Sequence, residues 1–118
     1  MKHHKATRTL GRKKGPRVAL LRSLARSLIL SEGITTTIAR AKELRPFVEK
    51  MVSISKQNSL ASRRLLESRM GGFPDAVEKL HDTYAVRYAK RSGGYTRIVR
   101  LGAVGKRVLE AARIEFVK

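Results

Sequence analysis

The chain has 118 residues, of which 27 are Lys or Arg and 9 are Asp or Glu, so its formal net charge is +18. This length allows one domain with a modest hydrophobic core and is too short for two. The absence of Cys excludes disulfides and thiolate metal sites. No apolar run reaches the roughly 18 residues that a membrane-spanning helix requires. The composition therefore predicts a soluble, strongly basic single domain.

The first 15 residues show no hydrophobic periodicity and predict an extended basic arm that is disordered until it binds a partner. The Gly15-Pro16 pair then predicts the start of a helix, because proline suits the first helical turn. Gly33 is expected to end this helix as a left-handed cap. The predicted buried stripe of the helix consists of Val18, Leu21, Leu24, Ala25 and Leu28.

The β-branched segment 34–37 predicts a short strand, and one of its threonines is expected to cap the next helix. That helix is predicted over about residues 38–56. Pro46 should bend it without breaking it, because the proline lies on the face opposite the core. The predicted buried residues are Ala41, Leu44, Val48, Met51, Val52 and Ser55.

The following segment predicts a third helix over residues 60–70, anchored by Leu65 and Leu66 and ended by two glycines at 71 and 72. A fourth helix is predicted to begin at Pro74 and to end at the glycines 93 and 94. Its apolar face is formed by Val77, Leu80, Tyr84 and Tyr88.

The C-terminal part predicts two strands, residues 95–101 and 112–117, joined by a basic loop. The element order α-β-α-α-α-β-β indicates a two-layer α+β fold in which a small three-stranded mixed sheet packs on helices. Evenly spaced cations on a flexible chain suit phosphates in RNA grooves and junctions. Residues 1–15 are therefore predicted to form a basic RNA-binding arm, and residues 16–118 a single compact domain.

The positive charge is concentrated in two segments. Nine basic residues and no acidic one precede Glu32, and seven basic residues and no acidic one lie between Asp82 and Glu110. Residues 42–82, by contrast, contain eight basic and six acidic side chains. Such a distribution indicates a binding surface for a polyanion rather than a general aid to solubility.

The glycine-rich segment 92–97, Ser-Gly-Gly-Tyr-Thr-Arg, lies inside the second basic segment. Its glycines let the backbone approach a phosphate or base closely, Tyr95 is able to stack on a base, and Arg97 is able to clamp a phosphate. The glycine spacing is not that of a P-loop or a dinucleotide-binding motif. The alternative is a turn into a hairpin with Tyr95 packed in the core. The surrounding charge favours a binding role for Arg97 more than for Tyr95.

The threonines at 35–37 and the start of the next helix form a third candidate, since hydroxyl groups and helix-start amides can bind phosphate. Arg40, Lys42 and Arg45 add positive charge nearby. For the threonines, strand propensity together with helix capping is the favoured interpretation.

The sequence does not indicate an enzyme. His3 and His4 fall in the predicted arm, where nothing would hold a tautomer or a metal geometry. His81 and Asp82 are neighbours on a helix, so their side chains diverge. The chain shows no nucleophile with a base at plausible spacing and no carboxylate cluster for two-metal chemistry. We therefore expect no catalytic residues, no metal, no cofactor and no small-molecule substrate.

Several segments together resemble the bacterial-type family of large-subunit ribosomal protein seventeen. Residues 1–5 with Leu10-Gly11-Arg12 are similar to the basic start of the family, and residues 17–22 to its first helix. Residues 34–45 are similar to its central signature, and residues 91–98 to its strongest short motif. The loop 102–111 departs from the family pattern because it lacks a glycine-aspartate pair found in many members. Lys2, where arginine is usual, and Arg40, where lysine is common, keep the charge.

The resemblance implies a structural constituent of the large ribosomal subunit, located in the cytoplasm within the ribosome. It implies binding to large-subunit ribosomal RNA near the peptide tunnel exit, a role in subunit assembly, neighbouring large-subunit proteins as partners, and no membrane. At matching positions it implies RNA contacts by Lys2, His3, Lys5, Arg8, Arg12, Arg17, Arg22, Thr35, Thr36, Lys42, Arg45, Tyr95 and Arg97. The two basic segments add Lys13, Lys14 and Arg91 as predicted RNA-binding residues.

Two other classes of protein are compatible with the charge. A nucleoid or histone-like protein would bind duplex DNA as well as RNA and would usually dimerise, although the sequence shows no heptad seam and no helix-turn-helix. A membrane-active or imported cationic protein would form a lipid-dependent helix in its first 31 residues, or would lose its arm by cleavage.

Overall fold

The computed structural model describes residues 13–103 and 110–118, and its helices and strands follow the predicted order. The helix that begins at Pro74 is continuous but contains a π-helical turn, Leu80–Tyr84, between two α-helical parts. The α+β class is confirmed. The elements are α1 Lys14–Ser31, β1 Gly33–Thr37, α2 Ile38–Ser55, α3 Leu60–Met70, α4 Pro74–Lys79, α5 Ala85–Arg87, β2 Thr96–Ala103 and β3 Glu110–Phe116.

The three strands pair in the order β1-β3-β2, and both pairings are antiparallel. The prediction of a mixed sheet is therefore wrong. Only residues 104–109 separate β2 from β3, and a parallel pairing would need a crossover of a dozen or more residues. The predicted strand positions are confirmed with small shifts, since β2 begins one residue later than expected and β3 begins two residues earlier.

The core lies between the helices and one face of the sheet. Helix α2 contributes the most, and all six of its predicted buried residues are buried. The hydroxyl of Thr37 accepts a hydrogen bond from the Arg40 amide at 3.3 Å, which confirms a threonine as the cap of this helix. Pro46 lies inside the helix and is exposed, on the face away from the core.

Helix α1 begins at Lys14, two residues before Pro16, and its stripe is only partly as predicted. Ala25 and Leu28 are fully buried, whereas Val18, Leu21 and Leu24 are half-buried. Ile29, which the sequence did not single out, is fully buried as well. The stripe is displaced towards the C-terminal half of the helix because β1 and α4 pack there.

The C-cap of α1 is Glu32 and not Gly33, which corrects the prediction. Glu32 has a left-handed backbone with φ of 66°, and its amide donates to the Leu28 carbonyl. Gly33 is instead the first residue of β1. A Cβ at this position would lie 2.4 Å from Arg113 Nη2, so any larger residue here would displace the Arg113 guanidinium from its place beside β1.

Helix α3 is anchored by Leu66, as predicted, but Leu65 is 42% exposed and its predicted burial is wrong. The buried positions are Ser62, Leu66 and Met70, which are four residues apart and share one face of the helix. Leu65 is turned away from that face. Gly71 in a left-handed conformation ends the helix, as predicted.

The fourth helix buries Val77, Leu80, Tyr84 and Tyr88 as predicted, but its last helical residue is Arg87 rather than a residue next to the glycines 93 and 94. The Tyr84 hydroxyl donates to the Ile29 carbonyl of α1 at 2.6 Å. Its ring stacks on Phe116 of β3 with centroids 4.0 Å apart. Tyr84 thus joins the first helix, the fourth helix and the sheet.

Candidate nucleic-acid interface

The glycine-rich segment 92–97 brings the chain from the fourth helix into β2, and its tyrosine points into the protein. Tyr95 is 2% exposed. Its hydroxyl accepts from the Lys56 ammonium at 3.0 Å and donates to the Arg91 carbonyl at 3.2 Å. The ring also lies against Tyr88, with centroids 5.1 Å apart. The burial of the ring agrees with the alternative interpretation, in which Tyr95 packs in the core, and it disfavours stacking on a base. The contact of Tyr95 with RNA stays a prediction.

Thr96, the residue after Tyr95, is also buried. The carboxylate of Glu49 accepts from the Thr96 hydroxyl at 2.8 Å and from the Thr96 amide at 3.1 Å. Gly94 has φ of 63°, a conformation that favours glycine, and this turn aligns the chain with the sheet. Because side chains alternate along a strand, burial of Thr96 sends Arg97 to the other face, where its side chain is 63% exposed.

The sheet face turned away from the helices carries polar and charged side chains, and we call it the outer face. Strand pairing brings together Thr35, Arg113 and Val99 in one row and Gly33, Glu115 and Arg97 in the next. The Glu115 carboxylate accepts from Arg97 Nε at 2.7 Å and from Arg113 Nε at 2.9 Å. These two hydrogen bonds, first that of Arg97 and then that of Arg113, hold the pKa of Glu115 below its usual value.

The two threonines predicted as RNA contacts lie on different faces. Thr35 is exposed on the outer face, whereas Thr36 is half-buried in the inward row beside Ala112. Helix α2 exposes Lys42 and Arg45, and Arg45 forms an ion pair with Glu49 at 3.4 Å.

At the start of α1, Lys13 and Lys14 are exposed and Arg17 is half-buried.

Arg22 forms hydrogen bonds with the end of another helix. Its Nε donates to the Arg69 carbonyl at 2.9 Å, and its Nη2 to the Ser68 carbonyl at 3.4 Å. These carbonyls belong to the last turn of α3, so Arg22 satisfies acceptors at the negative end of that helix. Arg91 is exposed, and its Nε donates to the Gly93 carbonyl at 3.1 Å.

The remaining predicted contacts lie outside the described residues. They are Lys2, His3, Lys5, Arg8 and Arg12. The central part of the loop 102–111 also lies outside.

The sequence did not single out Arg113 and Glu115 as site residues, because their alternation with Ile114 and Phe116 indicated a half-buried strand. That interpretation is correct, since Ile114 and Phe116 are buried. The signal for a site is the pattern Arg-Ile-Glu in a strand, which places two opposite charges on the solvent face. Recognising that Arg97 shares this face requires the strand register.

The fourth helix and α3 present a different surface. Three carboxylates, those of Glu67, Glu78 and Asp82, form no ion pair with any other described residue, although cations outnumber acids threefold. Asp75 is paired with Arg26 at 2.7 Å, and the hydrogen bond from Arg26 holds the pKa of Asp75 below its usual value. The balanced charge of residues 42–82, which we call the near-neutral half, predicts that these helices face solvent or neighbouring proteins, and this stays a prediction.

Within residues 13–103 and 110–118, no group of three or more His, Asp or Glu side chains could hold a metal ion. His81 is buried, and neither of its ring nitrogens has a hydrogen-bond partner among the described residues. In the same part of the chain, no helix is long and apolar enough to cross a membrane.

A basic α+β domain that exposes arginines on the outer face of its sheet and lysines at the start of its first helix has a charge distribution typical of polyanion-binding proteins. Comparison with known proteins narrows this class. A family model described as Ribosomal protein L17 matches residues 20–117, and the chain belongs to this family. Ribosomal proteins of this family are structural and non-enzymatic, in agreement with the sequence-based prediction.

Similar proteins from distant bacteria cover nearly the whole chain. The chain is 46% identical to the large ribosomal subunit protein bL17 of Sphingopyxis alaskensis, over 99% of this chain and 84% of that protein. It is 44% identical to the protein of the same name from Thermomicrobium roseum, over 99% of both chains. It is 43% identical to the one from Fusobacterium nucleatum, over 99% of this chain and all of that protein.

Proposed function

We propose that this chain is a structural constituent of the large ribosomal subunit in the cytoplasm. In this role it binds large-subunit ribosomal RNA near the peptide tunnel exit and supports assembly of the subunit. Its partners are that RNA and neighbouring large-subunit proteins. Membership of a ribosomal family supports the role. The location near the tunnel exit is what the family resemblance implies.

The observation that carries RNA binding is the unequal distribution of charge. The two segments without acidic residues contain sixteen of the 27 basic residues, nine before Glu32 and seven between Asp82 and Glu110. In the described part of the second segment, Arg97 and Arg100 are exposed on β2. A surplus of exposed cations in limited segments favours a polyanionic partner.

The mode of recognition follows from the placement of the aromatic residues. The chain has three tyrosines and no tryptophan, and Tyr84, Tyr88 and Tyr95 are all buried. Stacking on exposed tyrosines or tryptophans, the usual device for unpaired bases, is therefore unavailable. We infer that the protein contacts phosphates and reads the shape of folded RNA. Each phosphate contact releases counterions, and about ten contacts would give a slope of log K against log salt of about −7 to −9.

The first test is sedimentation of the native source extract through sucrose gradients at low and then high salt, with the chain followed by mass spectrometry. We expect the chain to sediment stoichiometrically with the large subunit and to remain bound at moderate salt. Sedimentation with DNA or membranes, or immediate loss on washing, would contradict the ribosomal role. The charge would then point to one of the two alternative classes.

A second test separates the predicted arm from the rest of the chain. In the full-length protein, Lys5, Arg8 and Arg12 are replaced by Gln. The matched control replaces Arg63, Arg64 and Arg69 of α3 by Gln, which removes the same charge from the near-neutral half. We expect a smaller fraction of the arm variant than of the wild type to be incorporated into large subunits. The control variant should be incorporated to the same extent as the wild type. Equal behaviour of the two variants would contradict a specific role of the arm.

A further inference from the structure

The outer face of the sheet contains two arginines that share one carboxylate. Glu115 Oε2 accepts from Arg97 Nε at 2.7 Å and pairs with Arg97 Nη2 at 2.5 Å, whereas Glu115 Oε1 accepts from Arg113 Nε at 2.9 Å. Each oxygen of the carboxylate thus holds one guanidinium. The three side chains together carry a net charge of +1, so the carboxylate orients the pair without cancelling its charge.

The backbone determines this arrangement. Arg113 and Glu115 belong to β3, the central strand, and Arg97 is paired with Glu115 across the β2–β3 ladder. Gly33 of β1 lies on the other side of Glu115 and leaves the space that the Arg113 guanidinium occupies. Residues on paired strands are positioned more accurately than residues on loops. The two arginines are therefore preorganised before any ligand arrives.

Both arginines keep hydrogen-bond donors for a partner. A guanidinium has five N–H donors in a planar fork, and Arg113 commits only its Nε to Glu115. Neither Nη atom of Arg113 has a hydrogen-bond acceptor within the part of the chain that the structure describes. The side chain of Arg97 is 63% exposed and that of Arg113 is 45% exposed. Arg113 thus keeps both Nη groups without an acceptor among the described residues, with Nη2 beside Gly33 and the side chain partly exposed.

The arginines line a hollow of about 550 Å³, and Ser31, Phe116 and Glu32 are among the other residues around it. This volume lies within the range of about 300–1,000 Å³ typical of pockets for small ligands. Glu32 would repel an anion, but its carboxylate is paired with Arg87 at 2.6 Å. The hydrogen bond from Arg87 holds the pKa of Glu32 below its usual value, so the pair persists as charged partners.

We propose that Arg97 and Arg113, oriented by Glu115, form a clamp for phosphodiester groups of the RNA backbone on the outer face of the sheet. Arg113 is a phosphate-binding residue in this arrangement, and Glu115 is a positioning residue. The inference rests on the proposed RNA-binding function and adds Arg113 and Glu115, which the sequence did not indicate, to Arg97, which it did. A planar guanidinium fork matches two phosphate oxygens, which a single lysine ammonium cannot do.

The test compares Arg113→Ala with Arg64→Ala in the full-length protein. Both changes remove one exposed arginine, but Arg64 lies on α3 in the near-neutral half. Binding to domain-sized transcripts of large-subunit ribosomal RNA is measured over a series of salt concentrations. For Arg113→Ala we expect affinity to fall about tenfold and the salt slope to decrease by about one contact. The control is expected to stay within about twofold of the wild type.

Arg113→Lys keeps the charge and loses the fork, so it should retain the wild-type salt slope while losing part of the affinity. The clamp is overturned if Arg113→Ala binds like Arg64→Ala while the wild type binds ribosomal RNA well. Failure of the wild type itself to bind would instead overturn the proposed function, and the clamp with it. Circular dichroism of each variant checks that the fold is kept.

The positioning role of Glu115 has its own readout. Glu115→Gln removes the negative charge that orients both arginines, so affinity for any polyanion should rise. The ratio of affinity for ribosomal RNA to affinity for a homopolymer RNA should fall about threefold or more, because the guanidiniums lose their fixed directions. A mere charge effect would raise both affinities equally and leave the ratio unchanged, and that result would remove Glu115 from the proposal.

Discussion

The two faces of the sheet are built from alternating residues of the same strands. One face packs against the helices and the other is exposed. The inward row consists of Ile34, Ile114 and Ile98, and the outer row beside it consists of Thr35, Arg113 and Val99. Ile114 is fully buried, whereas Val99 is 44% exposed. One residue along the chain therefore separates a side chain of the core from a side chain available to a partner. Because side chains alternate without interruption over residues 96–99 and 113–116, the packing of the inward row also determines where Arg97 and Arg113 point.

The connection between the faces is clearest around β2. The inward residues before Arg97 are tied to α2, since Glu49 binds Thr96 and Lys56 binds the Tyr95 hydroxyl. These contacts leave β2 little freedom to slip, and a slip by one residue would exchange the two faces. Burial of Tyr95 and Thr96 thus holds Arg97 on the outer face, where the proposed clamp requires it.

The largest effect on stability is expected when a side chain of the inward row is shortened. Ile114→Ala should lower the free energy of unfolding by about 3 kcal/mol, because it leaves a cavity in a fully packed core. The matched change on the outer face, Val99→Ala, should cost less than about 1 kcal/mol. Urea denaturation followed by circular dichroism measures both values. Similar losses for the two variants would mean that the outer face is covered or that the core is loose.

A smaller effect is expected where α2 holds the start of β2. Glu49→Ala leaves the buried amide and hydroxyl of Thr96 without their acceptor, which should cost about 2 kcal/mol. The control is Glu67→Ala on α3, whose carboxylate has no ion-pair partner among the described residues and whose loss should lie within about 0.5 kcal/mol of zero. If both variants unfold at the same urea concentration, the contact between Glu49 and Thr96 does not hold the strand.

The smallest expected effect concerns pH and the buried His81. Burial above all, and then the positive charge of Arg63, hold the pKa of His81 below its usual value, while Asp82 and the backbone of Ser55 act in the opposite direction. The unfolded chain takes up this proton at about pH 6.5, whereas the folded chain resists it. The contribution of His81 to stability is therefore present above that pH and is lost as the pH falls towards the folded value.

Replacement by an apolar residue isolates this contribution. His81→Leu should make the stability less dependent on pH between neutral and mildly acidic conditions, as measured by melting temperature at a series of pH values. His4→Gln, a change in the predicted arm, should leave that dependence as in the wild type. A wild-type melting temperature that stays constant through this range would show that His81 is not buried in solution.

Much of the fold was predictable because local patterns agreed with it. Every residue of α2 that the apolar spacing predicted to be buried is buried. A threonine marked the start of α2, and a glycine marked the end of α3. Errors arose where neighbours in space decide. Leu65 and Ile29 were misjudged because which edge of a helix is covered depends on the elements that pack on it. The π-helical turn has no signal in the apolar pattern, which reads as one regular helix.

The charge of the chain and its division into two basic segments are properties of the sequence alone, and so is the order of helices and strands, because periodicity and turn residues act over short distances. Only the tertiary structure decided that Tyr95 is buried, that Arg22 caps another helix, and that Arg97, Arg113 and Glu115 meet on one face. The position of Arg22 depends on the packing of α1 against α3, and the meeting of the three charged side chains depends on the pairing of β2 with β3. Such pairing joins residues far apart in the chain, and no local pattern specifies its register.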